Sequence, residues 1–303
     1  MQYNDLLYIY RGDFCFLGLK GDFTLNKLRV VVGGTVILIA LIVTIVLNGS
    51  VPAVVSSQSA DADIEWLVPR VIRSLPHDTG AFTQGLLLEN GLFYEGTGQR
   101  GESEFREVDP ETGTVLRRQS LDDVYFGEGL ALTDQWFIQL TWQEGVAFVY
   151  DRDTMESLGQ FSYTGEGWGL CYDGERLFHS DGSERIVIRD PNTFGTLGQI
   201  TVTIDTIPII ELNELECVGD SIYANVWNTD RIVRIDSTTG AVTAIIDASG
   251  LLTPEEQTLA NQAGSNAVLN GIAYDPETEH FYITGKRWPL IFEVEFVNAT
   301  TAE

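Results

Sequence analysis

The sequence predicts an all-β fold, and three observations predict it. A short phrase in which Gly or Glu precedes an apolar residue returns along the chain as FTQGLLL (82–88), FGEGLAL (126–132), GWGLCY (167–172), LNELECV (212–218) and LNGIAYD (269–275). Taking Leu86, Leu130, Leu170, Leu215 and Ile272 as equivalent, the steps are 44, 40, 45 and 57 residues. A second echo, DPETG (109–113), DRDTM (151–155), DPNTF (190–194) and DSTTG (236–240), recurs at steps of 42, 39 and 46 residues. Between the markers lie β-patterned runs such as RIVRI and AVTAII, bounded by turn residues. Two independent markers with one period, filled with strands, point to a five-bladed β-propeller of four strands per blade.

In chain order, the first informative stretch is Val30 to Leu47, eighteen residues without a charge. That length is at the lower end of a membrane span. Arg11, Lys20, Lys27 and Arg29 precede it, and no Lys or Arg occurs after it until Arg70. The positive-inside rule then places residues 1–29 in the cytoplasm, makes 30–47 a transmembrane or signal-anchor helix, and exports the chain beyond residue 47. A cleaved signal peptide, giving a secreted protein, is the competing reading. Residues 48–65 are small and polar and read as a linker. Residues 66–298 form the propeller, and 299–303 a short tail.

If each blade starts at the repeat phrase, the last blade, ending near LIFEVEFV (290–297), lacks an outer strand, and WLVPRVIRSLPH (66–77) is a spare strand in front of the first. Pairing the two closes the ring and removes exposed edges. The longest step is explained by TPEEQTLANQAG (253–264), where Thr253 and Glu256 form a capping box and Gly264 stops a surface helix of about ten residues.

Composition narrows the function. A formal net charge of −26 excludes nucleic acid as a partner, because phosphate binding needs clustered Lys and Arg. Cys15, Cys171 and Cys217 show no CxxC and read as buried free thiols rather than a disulfide framework. His77, His179 and His280 are far apart, without HxH or HExxH spacing, and read as surface or turn residues; no catalytic metal is expected. A structural calcium in the channel of an acidic propeller stays open. A closed ring has little need of partner subunits, so a monomer is expected.

In a propeller the start of each inner strand and the end of the next strand face one mouth of the channel. Inner-strand starts contribute Phe82, Thr83, Gln84, Phe126, Glu128, Trp168, Asn213, Glu214 and Glu216. Second-strand ends contribute Glu95, Thr97, Trp142, His179, Asp181, Trp227, Asn228, Lys286, Arg287 and Trp288. Four of the six tryptophans thus gather on one face, mixed with polar groups that a plain core plug would leave without partners. Lys286 is the only lysine after residue 27.

These stretches, together with PHDTGAFTQGL (76–86), YFGEGL (125–130), NVWNTD (225–230) and TGKRWP (284–289), resemble the plant and bacterial glutaminyl cyclases, or glutamine cyclotransferases, over roughly residues 70–296. The resemblance implies a five-bladed propeller that converts the N-terminal glutamine of peptides and proteins to pyroglutamate with release of ammonia, without a required cofactor. It implies Glu128 as the acid/base carboxylate. Phe82, Gln84, Phe126, Trp142, Trp168, Asn213, Trp227 and Lys286 match the remaining pocket positions, Lys286 sharing the catalytic role through hydrogen bonds to the reacting carboxamide. A non-catalytic peptide- or glycan-binding propeller is the alternative; it has no need for one carboxylate ringed by aromatics.

Overall fold

The computed structural model describes residues 64–301. The apolar run at 30–47, the residues before it and most of the linker lie outside the described residues, as does Cys15. Among the described residues no helix is long and apolar enough to cross a membrane.

Strand β1 (Glu65–Pro76) is followed by a four-stranded antiparallel sheet, β2 (Thr83–Glu89), β3 (Leu92–Thr97), β4 (Glu104–Val108) and β5 (Val115–Ser120). A second comprises β6 (Gly127–Leu132), β7 (Trp136–Thr141), β8 (Val146–Asp151) and β9 (Ser157–Ser162). A third comprises β10 (Leu170–Tyr172), β11 (Leu177–Ser180), β12 (Arg185–Arg189) and β13 (Thr196–Thr201). After the short hairpin of β14 (Thr203–Ile204) and β15 (Ile207–Pro208) comes β16 (Leu212–Val218) with β17 (Ser221–Val226), β18 (Arg231–Asp236) and β19 (Val242–Asp247). Helix α1 (Pro254–Ala263) then leads to β20 (Leu269–Asp275), β21 (His280–Gly285) and β22 (Leu290–Asn298).

Strand β1 pairs antiparallel with β22 along most of its length, and its first residues run parallel to β19. It therefore supplies the missing outer strand after β22 and stitches two four-stranded arrays into one eight-stranded sheet. The expected helix is present, with Thr253 as N-cap, both bonds of the capping box and Gly264 at its end.

The Asp turns fall between the two outer strands, as the second echo predicts. In each, one carboxylate oxygen of Asp109, Asp151, Asp190 or Asp236 accepts from two backbone N–H groups and a Thr hydroxyl. That local satisfaction is why the same short sequence recurs at each outer hairpin.

The inner strands lie against one another in sequence, β2 on β6, β6 on β10, β10 on β16, β16 on β20, and β20 on β2. Apolar layers fill the gaps between sheet faces, for example Tyr94, Phe105, Leu130, Phe137, Tyr150 and Met155 between the first two. The repeat phrase owes its Gly to this crowding. A Cβ at Gly85 would lie 2.5 Å from Leu130 N, and one at Gly169 would lie 2.0 Å from Asn213 O. The place of this Gly is taken in β16 by Glu214, whose carboxylate reaches the backbone N–H groups of Leu86 (3.3 Å) and Ile272 (2.9 Å).

Two expectations about sulfur and imidazole are corrected. Cys171 and Cys217 form a disulfide, with Cα atoms 5.5 Å apart, because β10 and β16 are neighbouring inner strands and place the two residues opposite each other. Their separation of 46 residues is within one residue of the repeat step between these two strands, the signal that a search for CxxC overlooks. His77 lies in the connection between β1 and β2 as a turn residue would, but its side chain is only 2% exposed and bonded to Trp288 O and Glu95; His179 is neither surface nor turn, being buried in β11 and bonded to Arg189 and Glu166 O.

Candidate active site

The first residues of the inner strands do not follow regular β register. Pairing shifts between Thr83 and Gly85, Gly127 and Leu130, Leu212 and Leu215, and Leu269 and Ile272. Such irregularities re-aim side chains. They fall at the position two residues before the repeated apolar residue, which holds Gln84, Glu128, Trp168, Asn213 and Asn270 in turn. Three residues past the partner of that apolar residue, just beyond the ends of the second strands, stand Gly98, Trp142, Gly182, Trp227 and Lys286. Where a glycine takes this place it makes room: a Cβ on Gly98 would lie 2.3 Å from the Phe126 ring, and one on Gly182 2.7 Å from the Trp168 ring.

These two registers converge on a cavity of about 300 Å³ lined by Phe82, Gln84, Gln99, Phe126, Glu128, Trp142, Trp168, Asn213, Trp227, Asn266 and Lys286. All nine residues that the resemblance assigns to the pocket line it. The rings form an edge-on wall: Phe82 to Phe126 at 6.0 Å, Phe126 to Trp142 at 5.8 Å, and Trp168 to Trp227 at 5.6 Å between centroids.

Polar groups at the base are buried and linked. Gln84 Nε2 donates to Glu128 Oε1 at 2.8 Å, and Lys286 Nζ donates to Gln84 Oε1, which also accepts from Asn270 Nδ2 at 3.3 Å. Lys286 Nζ lies 4.9 Å from the centroid of Phe82. Burial pushes the Glu128 carboxyl well above its ordinary range; Lys286 opposes this, and the negative charges of Glu166 and Glu144 add to it. Burial likewise lowers Lys286 to about 8, against the attraction of Glu128. Asn213 Oδ1 is buried without a hydrogen-bond partner.

A sequence profile of the family described as Glutamine cyclotransferase matches residues 41–296. The chain is 36% identical over 232 residues to the glutaminyl-peptide cyclotransferase of Arabidopsis thaliana, covering 76% of this chain and 72% of that one. It also matches the crystal structure of Myxococcus xanthus glutaminyl cyclase, with 37% identity and a TM-score of 0.72 over 78% of this chain and 100% of that chain. The chain belongs to the glutamine cyclotransferase family. The all-β fold, with its nearly closed arrangement of sheets, is the fold of that relative.

Not every residue expected at the mouth of this cyclotransferase lines the cavity. Trp288 is buried in the apolar layer beneath β20–β22, packed edge-on to Phe292, so three tryptophans rather than four form the wall. Glu95 is engaged by Arg106, His77 and Thr83 inside the first sheet, and Glu214 by backbone groups across the inner strands.

Four contributors were missed: Asn270, Gln99, Asn266 and Glu166. Asn270 stands at the same repeat position as Glu128, which is signal enough. Gln99 and Asn266 adopt positive φ (90° and 61°) in loops that no repeat marks. Glu166 is hydrogen-bonded to two of the wall tryptophans, Trp142 and Trp168. Among the described residues no cluster of three or more His, Cys, Asp or Glu is arranged to hold a metal ion.

Proposed function

We propose that this cyclotransferase closes the N-terminal glutamine of peptides and proteins into pyroglutamate, with Glu128 as general acid and base. The observation that carries the reading is one buried carboxylate with a raised proton affinity, facing an aromatic cavity beside a buried lysine. The α-amine attacks the γ-carboxamide carbon of its own residue. A C–N bond forms to close the ring, the C–NH2 bond breaks, and NH3 leaves.

Because the reaction is intramolecular, the site has to select the folded-back side chain and move protons. Glu128 takes a proton from the attacking amine and returns one to the departing nitrogen, which suits a carboxyl whose proton affinity burial has raised. Lys286, the nearby cation, donates to the oxyanion of the tetrahedral intermediate; Gln84 holds Glu128 in place through its own amide hydrogen. The unpartnered oxygen of Asn213 accepts an N–H of the substrate, and Trp142, Trp168 and Trp227 exclude water. No cofactor enters this chemistry. A structural calcium near the axis would have to compete with the backbone N–H groups that hold Glu214.

The four-stranded arrays are the blades of a five-bladed propeller over residues 66–298, closed by β1. The basic flank and the uncharged run at 30–47 support a membrane anchor with the catalytic domain outside the cytoplasm, or secretion after cleavage, and the closed ring supports a monomer. The test is to incubate the protein with a peptide beginning in glutamine and follow ammonia release together with the loss of one ammonia mass from the peptide. An unchanged peptide would reject the reading.

A further inference from the structure

Glu166 occupies the position four residues before Leu170, which Phe82 and Phe126 occupy before Leu86 and Leu130. A carboxylate thus stands where the first two sheets present an aromatic ring. Its Oε2 accepts from Trp142 Nε1 at 2.8 Å and from Trp168 Nε1 at 3.0 Å, and its Oε1 accepts from Gln143 Nε2 at 2.8 Å. One oxygen therefore fixes two indoles that arrive from different sheets. Such bonds to a charged acceptor are about twice as strong as neutral ones.

The segment that carries Glu166 is itself held from behind. Arg189 Nε lies 2.8 Å from His179 Nδ1, and a guanidinium can only donate, so Nδ1 is the acceptor. The imidazole proton is then on Nε2, which donates to Glu166 O at 3.2 Å. Burial and the Arg189 charge keep this imidazole neutral, with its proton affinity lowered to about 3. The two residues that follow are tied down as well: Gly167 N donates to Trp142 O at 2.8 Å and Trp168 N to Ser180 O at 3.0 Å.

The charge of Glu166 is also unusual for the rim. Glu144, the other acidic group facing this side of Glu128, is bonded to Arg100. The hydrogen-bond partners of Glu166 are two indoles and an amide, all neutral, and those bonds hold the carboxyl below its ordinary range although burial opposes them.

We propose that Glu166 is a positioning residue that clamps Trp142 and Trp168 into one wall and supplies the fixed negative charge drawing the substrate's cationic N-terminus toward Glu128. The inference rests on the cyclase reading above, and it separates into a clamp and a charge that different variants test.

In the full-length protein, Glu166→Ala removes both. Near-ultraviolet circular dichroism of the free protein, which reports indole immobilisation without any substrate, is expected to weaken, and kcat/KM to fall by roughly 100-fold, the scale of a displaced binding wall. Glu166→Gln keeps an acceptor for the indoles and loses only the charge. Its dichroism is expected to match wild type, while KM rises about tenfold, as for one lost charge-assisted contact, and becomes less sensitive to salt than that of wild type. The acid limb of its rate profile moves to lower pH, since Lys286, Glu144 and Tyr163 still face Glu128 and only the Glu166 charge is gone.

Unchanged dichroism and kcat/KM in Glu166→Ala would overturn the clamp, and a wild-type KM and pH profile in Glu166→Gln would overturn the charge. If wild-type protein cyclises nothing, the cyclase reading and the charge fall together, while the dichroism of Glu166→Ala still decides the clamp.

Discussion

Two buried glutamates on neighbouring sheets have opposite chemistry. Glu95, on β3, accepts from Arg106 (2.8 Å), Thr83 Oγ1 (2.7 Å) and lies 3.1 Å from His77 Nε2. Burial alone would raise its proton affinity, but Arg106 and His77 overcome that and hold it well below the carboxylate range. Glu128, on β6, has Gln84 as its bonded partner and no bonded cation, and its proton affinity rises instead. Both side chains are almost fully enclosed. Burial therefore does not make an acid/base group; burial left without full compensation does. Glu214 adds a third case: its proton affinity is also raised, yet its oxygens are spent on the N–H groups of Leu86 and Ile272, away from the cavity.

The largest effect is expected at the uncompensated glutamate. Glu128→Gln keeps the shape of the side chain and removes the proton shuttle, so kcat should fall by about 10²- to 10⁴-fold. Far-ultraviolet dichroism and the denaturant midpoint should show the fold intact. A variant with near wild-type turnover would make Glu128 no more catalytic than Glu95.

The converse substitution belongs to the compensated site. Arg106→Met leaves the Glu95 charge buried without its cation, and stability should fall by about 3–5 kcal/mol in a denaturant titration. The folded fraction should retain its kcat, because Arg106 does not line the cavity. A large loss of kcat with unchanged stability would erase the distinction between the two networks.

How much of this was legible in the sequence differs between the two networks. The inner-strand register was legible, because the crowding of neighbouring strands forces Gly85, Gly129 and Gly169, and a φ of 123° favours Gly271, at the same place, and the residue just before each, together with Asn213, sits at the cavity level. The fate of Glu95 was not, because Arg106 lies eleven residues away on the next strand and the antiparallel pairing alone sets them opposite each other. Nor was that of Glu166, since it sits in a loop and its partners come from two sheets. The closure by β1 was legible from a strand missing at one end and spare at the other. The disulfide was hidden because it links two repeats rather than a local motif.

That disulfide extends the comparison to the third and fourth four-stranded arrays, where a covalent bond joins β10, which follows Trp168, to β16, which carries Asn213. Cys217→Ser should cost about 2–4 kcal/mol of stability, read from denaturant titrations, with dithiothreitol producing the same loss in wild type and none in the variant. Equal stability in all four conditions would show that the strands are held by packing alone.

The smallest effect is also the sharpest test, because it predicts opposite signs. Glu95 has a lowered proton affinity in the folded state, so its contribution is present above the ordinary pKa of about 4.5 and is lost as pH falls; the advantage of wild type over Glu95→Gln should shrink in acid. Glu128 has a raised one, so its contribution is present at low pH and is lost as pH rises through the folded value. Glu128→Gln should therefore gain on wild type as pH rises above about 4.5. Each slope is limited to about 1.4 kcal/mol per pH unit for one group, measurable in paired titrations. Slopes of the same sign would mean that Glu128 is compensated as Glu95 is, and the carboxyl proposed to move protons would be a fixed structural charge.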